Sequence, residues 1–340
     1  MAIVWMDGFD LYPSSPGTIY PYTDASSLST VSPGIFDIGK KLRASYTGGY
    51  ITLGVNPAST YIVAAHYQIA GPDFANEYYL FKFYESNILH LSIKGVIVSN
   101  TIVFKAYRAD NTLVATSSGF SYTTGSVYWI STKVTIHDTA GVVSIKVNGN
   151  EILNATGLDT RNGGTSGVIS SIVIYLLKFG NIDSFIDNLH VMDTSGTSYN
   201  DHINEHKIFT EFPSADGALN DFTASSGSRY ACVNETGYND DTNYIYSSTS
   251  GHNQSFSTDN ISGISTVAAV KVFARARKDD TETRNFKLLN RQGSTNYSSS
   301  SFTAGSSYTN FYNIWQTNPA TSSNWTANEA DTCEIGVSLD

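Results

Sequence analysis

The feature that most restricts this chain is its punctuation. β-branched and aromatic residues come in short runs, each closed by Gly, Asn, Asp or Ser: Tyr61 to Gln68, Tyr78 to Tyr84, Ile88 to Ile93, Ile102 to Tyr107, Val127 to His137, Val142 to Val147, Ile169 to Phe179 and Phe185 to Met192. Runs of this kind fit pleated, half-buried surfaces bounded by tight turns. Within Val142 to Val147, apolar residues partly alternate with Ser144 and Lys146, the period of a strand with one wet face. Asn148-Gly149 follows, and both residues tolerate positive φ, so a type I′ turn is predicted there. Asn150 to Asn154 is then the returning strand.

Charged residues make up only 15% of the 340, and 22 Tyr and 17 Phe stand beside abundant Ser, Thr, Asn and Gly. Little Leu, Glu or Lys remains to build helices, while 41% hydrophobic residues suffice for packed cores. The length suggests two domains. The polar stretch Asp193 to Asp201 has the composition of a linker, which places the boundary at about 195 to 205. Beyond it, strands are predicted at Ile208 to Phe212, Tyr244 to Ser248, Thr266 to Arg277 (the most buried in appearance), Asn285 to Asn290, Tyr308 to Gln316 and Glu334 to Val337, with a short helical turn over Thr326 to Asp331. The expected fold class is all-β: two β-sandwich (jelly-roll-like) domains in tandem, residues 1–198 and 199–340.

A formal net charge of -10 argues against nucleic acid, because duplex binding needs clustered Lys and Arg, and the densest basic stretch, Arg275 to Lys278, runs straight into Asp279 and Asp280. Anionic membrane is disfavoured on the same ground; neutral glycans and protein surfaces are compatible. The N-terminus lacks a basic region and a long apolar run, so no signal peptide is expected, and no segment approaches the roughly 18 apolar residues of a membrane span. Cys232 and Cys333 are read as buried thiols rather than as a pair, though pairing stays open. Six N-x-S/T triplets (Asn154, Asn234, Asn253, Asn260, Asn296, Asn324) arise by composition.

The strand, Asn-Gly and strand pattern of Ser144 to Ile152, with the closing Phe185 to Asp193, resembles the concanavalin A-like lectin and laminin-G sandwiches. Trp5 to Tyr12 looks like the first strand of lectin-like proteins of tailed bacteriophages. Asn239 to Thr249, Val270 to Asp280 and Tyr312 to Ala320 with Trp325 are similar to a block common in phage virion proteins. The resemblance implies a virion structural protein on the particle surface, made in the bacterial host cytoplasm. It also implies a homo-oligomer, by analogy a trimer, with other virion proteins as partners and host cell-surface glycans as ligands.

Reactive constellations are scarce. Hydrolases of the lectin-like fold carry a Glu-x-Asp-x-Glu strand, which is lacking: Glu77, Glu85 and Glu151 are isolated, and Asp183 and Asp187 are read as loop or edge residues. His202-Ile-Asn-Glu205-His206 matches the His-x-x-Glu-His zinc-protease pattern, with Glu282 as a distant third ligand, but the pattern works only on a helix and sits in a linker. No nucleophile elbow, Walker loop or dinucleotide glycine pattern is found. Asn239 to Thr242 and Lys278 to Glu282 offer carboxylates to Ca²⁺ without a supporting spacing, so no metal, cofactor or catalytic residue is assigned.

The aromatics remain as the functional lead, since sugar C–H faces pack on Tyr and Trp rings. Tyr244, Tyr246, Trp315 and Trp325 are the predicted glycan-binding residues, with Tyr20, Tyr22, Tyr46 and Tyr50 in loop-like stretches of the first domain and Trp5 and Trp129 in its core. The expectation is a non-enzymatic surface protein that aids host attachment by weak multivalent glycan binding. A purely structural decoration protein and a glycan depolymerase are the alternatives.

Overall fold

The computed structural model describes residues 2–12, 22–26, 28–36, 39–44, 49–69, 77–98, 100–163, 165–176, 183–238, 240–261 and 263–340. They form an all-β protein of two compact units, Met1–Ile208 and Phe209–Asp340. The division falls ten residues beyond the 198/199 boundary read from composition. Residues 199–208 are anchored in the first unit, where Ile203 is 9% exposed and its carbonyl accepts from Trp129 Nε1 at 3.2 Å.

The strands of the first unit are, in chain order, β1 (Ile3–Asp7), β2 (Tyr22–Ser26), β3 (Leu28–Val31), β4 (Lys41–Ala44), β5 (Tyr50–Ala58), β6 (Thr60–Gln68), β7 (Tyr78–Glu85), β8 (Ile88–Val98), β9 (Thr101–Arg108), β10 (Leu113–Thr116), β11 (Phe120–Ser121), β12 (Val127–Thr135), β13 (Gly141–Val147), β14 (Asn150–Leu158), β15 (Ile169–Tyr175) and β16 (Ser184–Asp193). One antiparallel sheet, A, runs β14-β13-β12-β6-β16-β4-β3 with β1 on β16. The other, B, runs β10-β9-β8-β7-β15-β5-β2 with β11 on β9.

Period-two alternation gives each sheet one apolar side. Val63, Ile130, Val134, Ile145 and Val191 of sheet A are fully buried, as are Phe81, Phe83, Leu91, Ile93, Phe104, Ile172 and Ile174 of sheet B. Each such side chain contributes roughly 1.5–3 kcal/mol on leaving water. Aromatic pairs bridge the sheets: Phe120 with Tyr128 (5.3 Å between ring centroids) and Trp5 with Tyr22 (6.1 Å).

The β13–β14 hairpin forms as its sequence predicts, with Asn148 at φ 49 and Gly149 at φ 80. A Cβ added at Gly149 meets nothing within 4 Å, so only backbone conformation opposes a larger residue there. Gly149→Ala is therefore expected to lower the stability of this unit by about 1 kcal/mol, read as a shift of its urea midpoint; an unchanged midpoint would mean the turn readily adopts another type.

The second unit holds β17 (Pro213–Asn220), β18 (Thr223–Ala224), β19 (Ile245–Tyr246), β20 (Asn253–Thr258), β21 (Val270–Ala276), β22 (Arg284–Gln292), β23 (Thr295–Ser298), β24 (Phe302–Ala304), β25 (Thr309–Trp315), α1 (Ala327–Thr332) and β26 (Glu334–Leu339). A six-stranded sheet runs β17-β20-β26-β22-β23 with β24 on β22, and β18–β19 and β21–β25 are two-stranded ribbons. Val272, Phe286, Leu288 and Ala304 form its core, with Phe311 packed edge-on to Phe286 at 4.9 Å. Residues 208–212 have no regular structure where a strand was expected. The β21 strand, expected to be deeply buried, buries only Val272 and leaves its other residues half-exposed, because a two-stranded ribbon has a single covered side. The helix is capped as the sequence allows: Thr326 and Glu329 form a capping box. Both cysteines are free and buried. Among the described residues no helix is long and apolar enough to cross a membrane.

Candidate functional site

The inner side of sheet B is apolar at the positions just named, so the residues between them face outward. Pairing brings Tyr50 opposite Tyr175 and Tyr79 opposite Lys94, which is itself opposite Lys105. Ring contacts join the pieces: Tyr50 to Tyr175 at 5.3 Å and Tyr79 to Tyr175 at 5.4 Å. Three tyrosines and two lysines thus line up across β5, β15, β7, β8 and β9. Four strand spacings of about 4.8 Å make this row ~19 Å long. A second row beside it reads Thr52, Val173, Lys82, Ser92 and Tyr107. All ten side chains except those of Val173 and Ser92 are half-exposed.

The lysines are set by the rings. Lys82 Nζ lies 3.9 Å from the Tyr79 centroid and 5.3 Å from that of Tyr175; Lys94 Nζ lies 5.0 Å from Tyr79 and 4.6 Å from Tyr107. Such cation–π contacts hold a flexible ammonium over a chosen spot. Glu77 closes one end: its carboxylate lies 2.8 Å from Lys105 Nζ and 3.6 Å from Lys94 Nζ, and accepts the Tyr107 hydroxyl at 2.7 Å. Burial alone would raise the Glu77 carboxyl; the bonds from Lys105 and Tyr107 and the two ammonium charges outweigh it and hold the group below its usual range. Burial raises Tyr175, and the Tyr79 phenol adds to it. Lys82 has no acid partner among the described residues.

Of this face, sequence reasoning picked out Tyr50 alone. Lys105-Ala106-Tyr107 and Ser92-Ile93-Lys94 do show the alternation that sends Lys and Tyr outward. The row itself needs the register of Tyr50 and Tyr175 against Tyr79, which no local pattern encodes.

Of the residues singled out from the sequence, Tyr50 alone is on this face, and it opens β5 rather than lying in a loop; the others lie elsewhere. Tyr244 and Tyr246 are 40% and 53% exposed with ring centroids 5.9 Å apart. Ring contacts among the described residues join neither to a tryptophan. Trp315 is half-buried against the second core. Trp325 is 3% exposed and donates from Nε1 to the Trp315 carbonyl at 2.8 Å, so its ring offers no open face. Tyr22 is buried and donates to Asp7 at 2.9 Å, while Tyr20 and Tyr46 lie outside the described residues. Asp240 and Asp241 are engaged by Arg275 and Arg277, and Asp280 and Glu282 by Arg284; Asn239 lies outside the described residues. No group of three or more potential metal ligands occurs among the described residues. Asp187 is not an edge residue: it sits within β16, is 4% exposed, and accepts from Ile35 and Asn188 backbone N–H groups.

His202 to His206 has no regular secondary structure, and forms a strap over the outer side of sheet A. His202 lies between Ser131 (2.7 Å) and Ser144 (2.9 Å), Glu205 meets His66 at 3.0 Å, and His206 Nδ1 lies 2.7 Å from the Asn204 carbonyl. Trp129, predicted to be core, is buried beneath this strap, its ring 4.7 Å from His66 and 5.7 Å from His190. The motif's side chains go to separate partners, so its match to a zinc site is one of letters only.

No protein-family model and no curated protein matches the chain. Solved β-sandwich structures do. A cellulose-induced protein, Cip1, is 11% identical over 59% of this chain and 93% of its own, with a TM-score of 0.38. The Chlorella virus alginate lyase vAL-1 is 12% identical over 50% and 90%, at 0.37. The Caenorhabditis elegans galectin LEC-6 is 10% identical over 41% and 88%, at 0.28. The likeness is one of fold. It corrects one expectation: alginate lyases stand among these structures, so the exclusion of enzymes drawn from the sequence does not hold.

Proposed function

We propose that the chain is a glycan-binding protein whose ligand lies along the outward face of sheet B. One observation carries this reading: Tyr50, Tyr175 and Tyr79 stand in ring contact on a single sheet row, flanked by Lys82, Lys94 and Thr52. Rings so placed offer stacking platforms, and ammonium and hydroxyl groups at their edges fix the orientation of sugar hydroxyls. Binding on a glycan array should weaken about tenfold, or roughly 1.4 kcal/mol, for Tyr79→Ala and for Tyr175→Ala. The exposed pair Tyr244 and Tyr246 is the competing patch. Loss of binding on changing that pair, with the sheet B variants unaffected, would move the site to the second unit.

The similarity of Val270 to Asp280 and Tyr312 to Ala320 to phage virion proteins supports placing this activity on a particle surface, among other virion proteins and in several copies. Repetition then converts weak single contacts into avidity. Antibody labelling of intact particles tests the placement. A decoration protein without ligand, the second reading, predicts that no array glycan is retained.

A further inference from the structure

We infer that Lys94, Lys105 and Tyr107 form a subsite for the carboxylate of an acidic sugar, with Lys82 placed to meet a second carboxylate, and that Glu77 occupies the first position in the free protein as a built-in competitor. The inference rests on the glycan-binding reading of this face and narrows its ligand to uronate-containing chains.

Three features support it. First, three ammonium groups gather on one face of a chain whose formal charge is -10. Like charges on adjacent strands repel, as with Lys94 directly opposite Lys105, and such pairs persist where an anion offsets them. Second, the anion present is a carboxylate, and its partners spell out a receptor: two ammonium groups at 2.8 and 3.6 Å and a phenol hydroxyl at 2.7 Å, converging from β8 and β9. Glu77 comes from the segment just before β7, not from either of those strands, so its withdrawal leaves the receptor intact. Third, Lys82 has no acid partner among the described residues and is parked over Tyr79 and Tyr175, where a sugar ring stacked on the tyrosines would bring its substituent. A ligand carboxylate near Lys82 and a second one in place of Glu77 would match the repeat of a polyuronate better than a single charge.

Occupancy by Glu77 has a functional consequence. An external carboxylate must displace an internal one held at high effective concentration, which lowers affinity for acidic chains while leaving neutral chains untouched. Glu77 is thus a specificity-determining residue rather than a ligand-binding one.

The test compares galacturonan, glucuronan and hyaluronan with their methyl esters, which keep the backbone and remove the charge, on the full chain. Glu77→Gln is expected to tighten binding to at least one polyacid about tenfold and to leave its ester unchanged. Lys82→Ala is expected to weaken the polyacid about tenfold at low salt and the ester little. An acid-to-ester ratio unmoved by both variants, while Tyr175→Ala abolishes binding to acid and ester alike, overturns the subsite and leaves the glycan face standing. Retention of no chain in the panel by either wild type or Glu77→Gln overturns both. Circular dichroism of Glu77→Gln checks that the sheet is intact, and a surface ion pair is not expected to be needed for folding.

Discussion

At pH 5.0 the first unit is expected to be about 2 to 4 kcal/mol less stable than at pH 6.5, while the second unit holds its midpoint across the same range. The cause is three imidazoles packed on the outer side of sheet A. Burial drives His190 down to about 3; neighbouring His206 and His66 push the same way, and the Asn188 carbonyl opposes. Burial drives His202 down to about 4, helped by Lys146 and Lys133 and resisted by Asp201. His66 is lowered by burial and by Lys207, against the pull of Glu205, and Asp187 lies opposite it in the register.

The sign follows from which state takes up protons. In the unfolded chain these groups titrate near 6.5. Below that pH the unfolded chain binds protons the folded chain refuses, so stability falls by about 1.4 kcal/mol per pH unit for each group. Asp187 works in the other direction. Burial raises it to about 7, with Asp10 and Asp7 adding and the Ile35 and Asn188 N–H groups opposing. Its protonated form favours the fold at low pH, and that contribution is lost as pH rises through about 7. Two or three histidines against one aspartate leave a net slope of one to two groups between pH 5.0 and 6.5, and a maximum near 6.5. The second unit buries no histidine. Urea melts of the full chain at the two pH values check this. A first-unit midpoint that stays put would show that these imidazoles are not held neutral.

Gly336→Ala is expected to lower the stability of the second unit by about 3 kcal/mol, the upper end of what overpacking costs. Gly336 lies on β26, between Ser255 of β20 and Leu289 of β22. A Cβ there would stand 2.0 Å from the Gln254 carbonyl oxygen and 3.0 Å from the Ser255 Cα. Both are backbone atoms of a paired strand, and neither can swing aside. Gln254 is itself fully buried, with Nε2 bonded to Asn220 at 3.2 Å and to the Ser255 carbonyl at 3.0 Å, so a shift of β20 would disturb that network too. The contrast with Gly149, where the space is open, separates a steric glycine from a conformational one. A variant with an unchanged second midpoint would mean that β20 and β26 can part without loss.

Where side chains alternate between core and water, the sequence was a sufficient guide: β6, β7, β9, β13 and β16 lie within a few residues of the runs that announce them. β17 and β20 were not legible. Pro213–Asn220 and Asn253–Thr258 are mostly small or polar, with Leu219 and Phe256 the large apolar exceptions, and they are strands because β26 and its neighbours supply hydrogen-bond partners, not because of intrinsic preference. The glycan-binding residues chosen from the sequence were chosen for their company of Asn and Asp, a local property. What places a ring on a face is register, and Tyr50 is some 125 residues from Tyr175. The His202 to His206 segment shows the converse: a spacing that has meaning on a helix loses it where no helix forms.

The position of Trp129 under the strap has an optical consequence. Its indole lies 4.7 Å from the imidazole of His66 and 5.7 Å from that of His190, centroid to centroid. A charged imidazolium quenches indole emission far more strongly than a neutral ring does. The share of the emission that comes from Trp129, one of four tryptophans, should therefore dim when either histidine gains a proton, giving a built-in lamp that reports the charge state of the strap's seat.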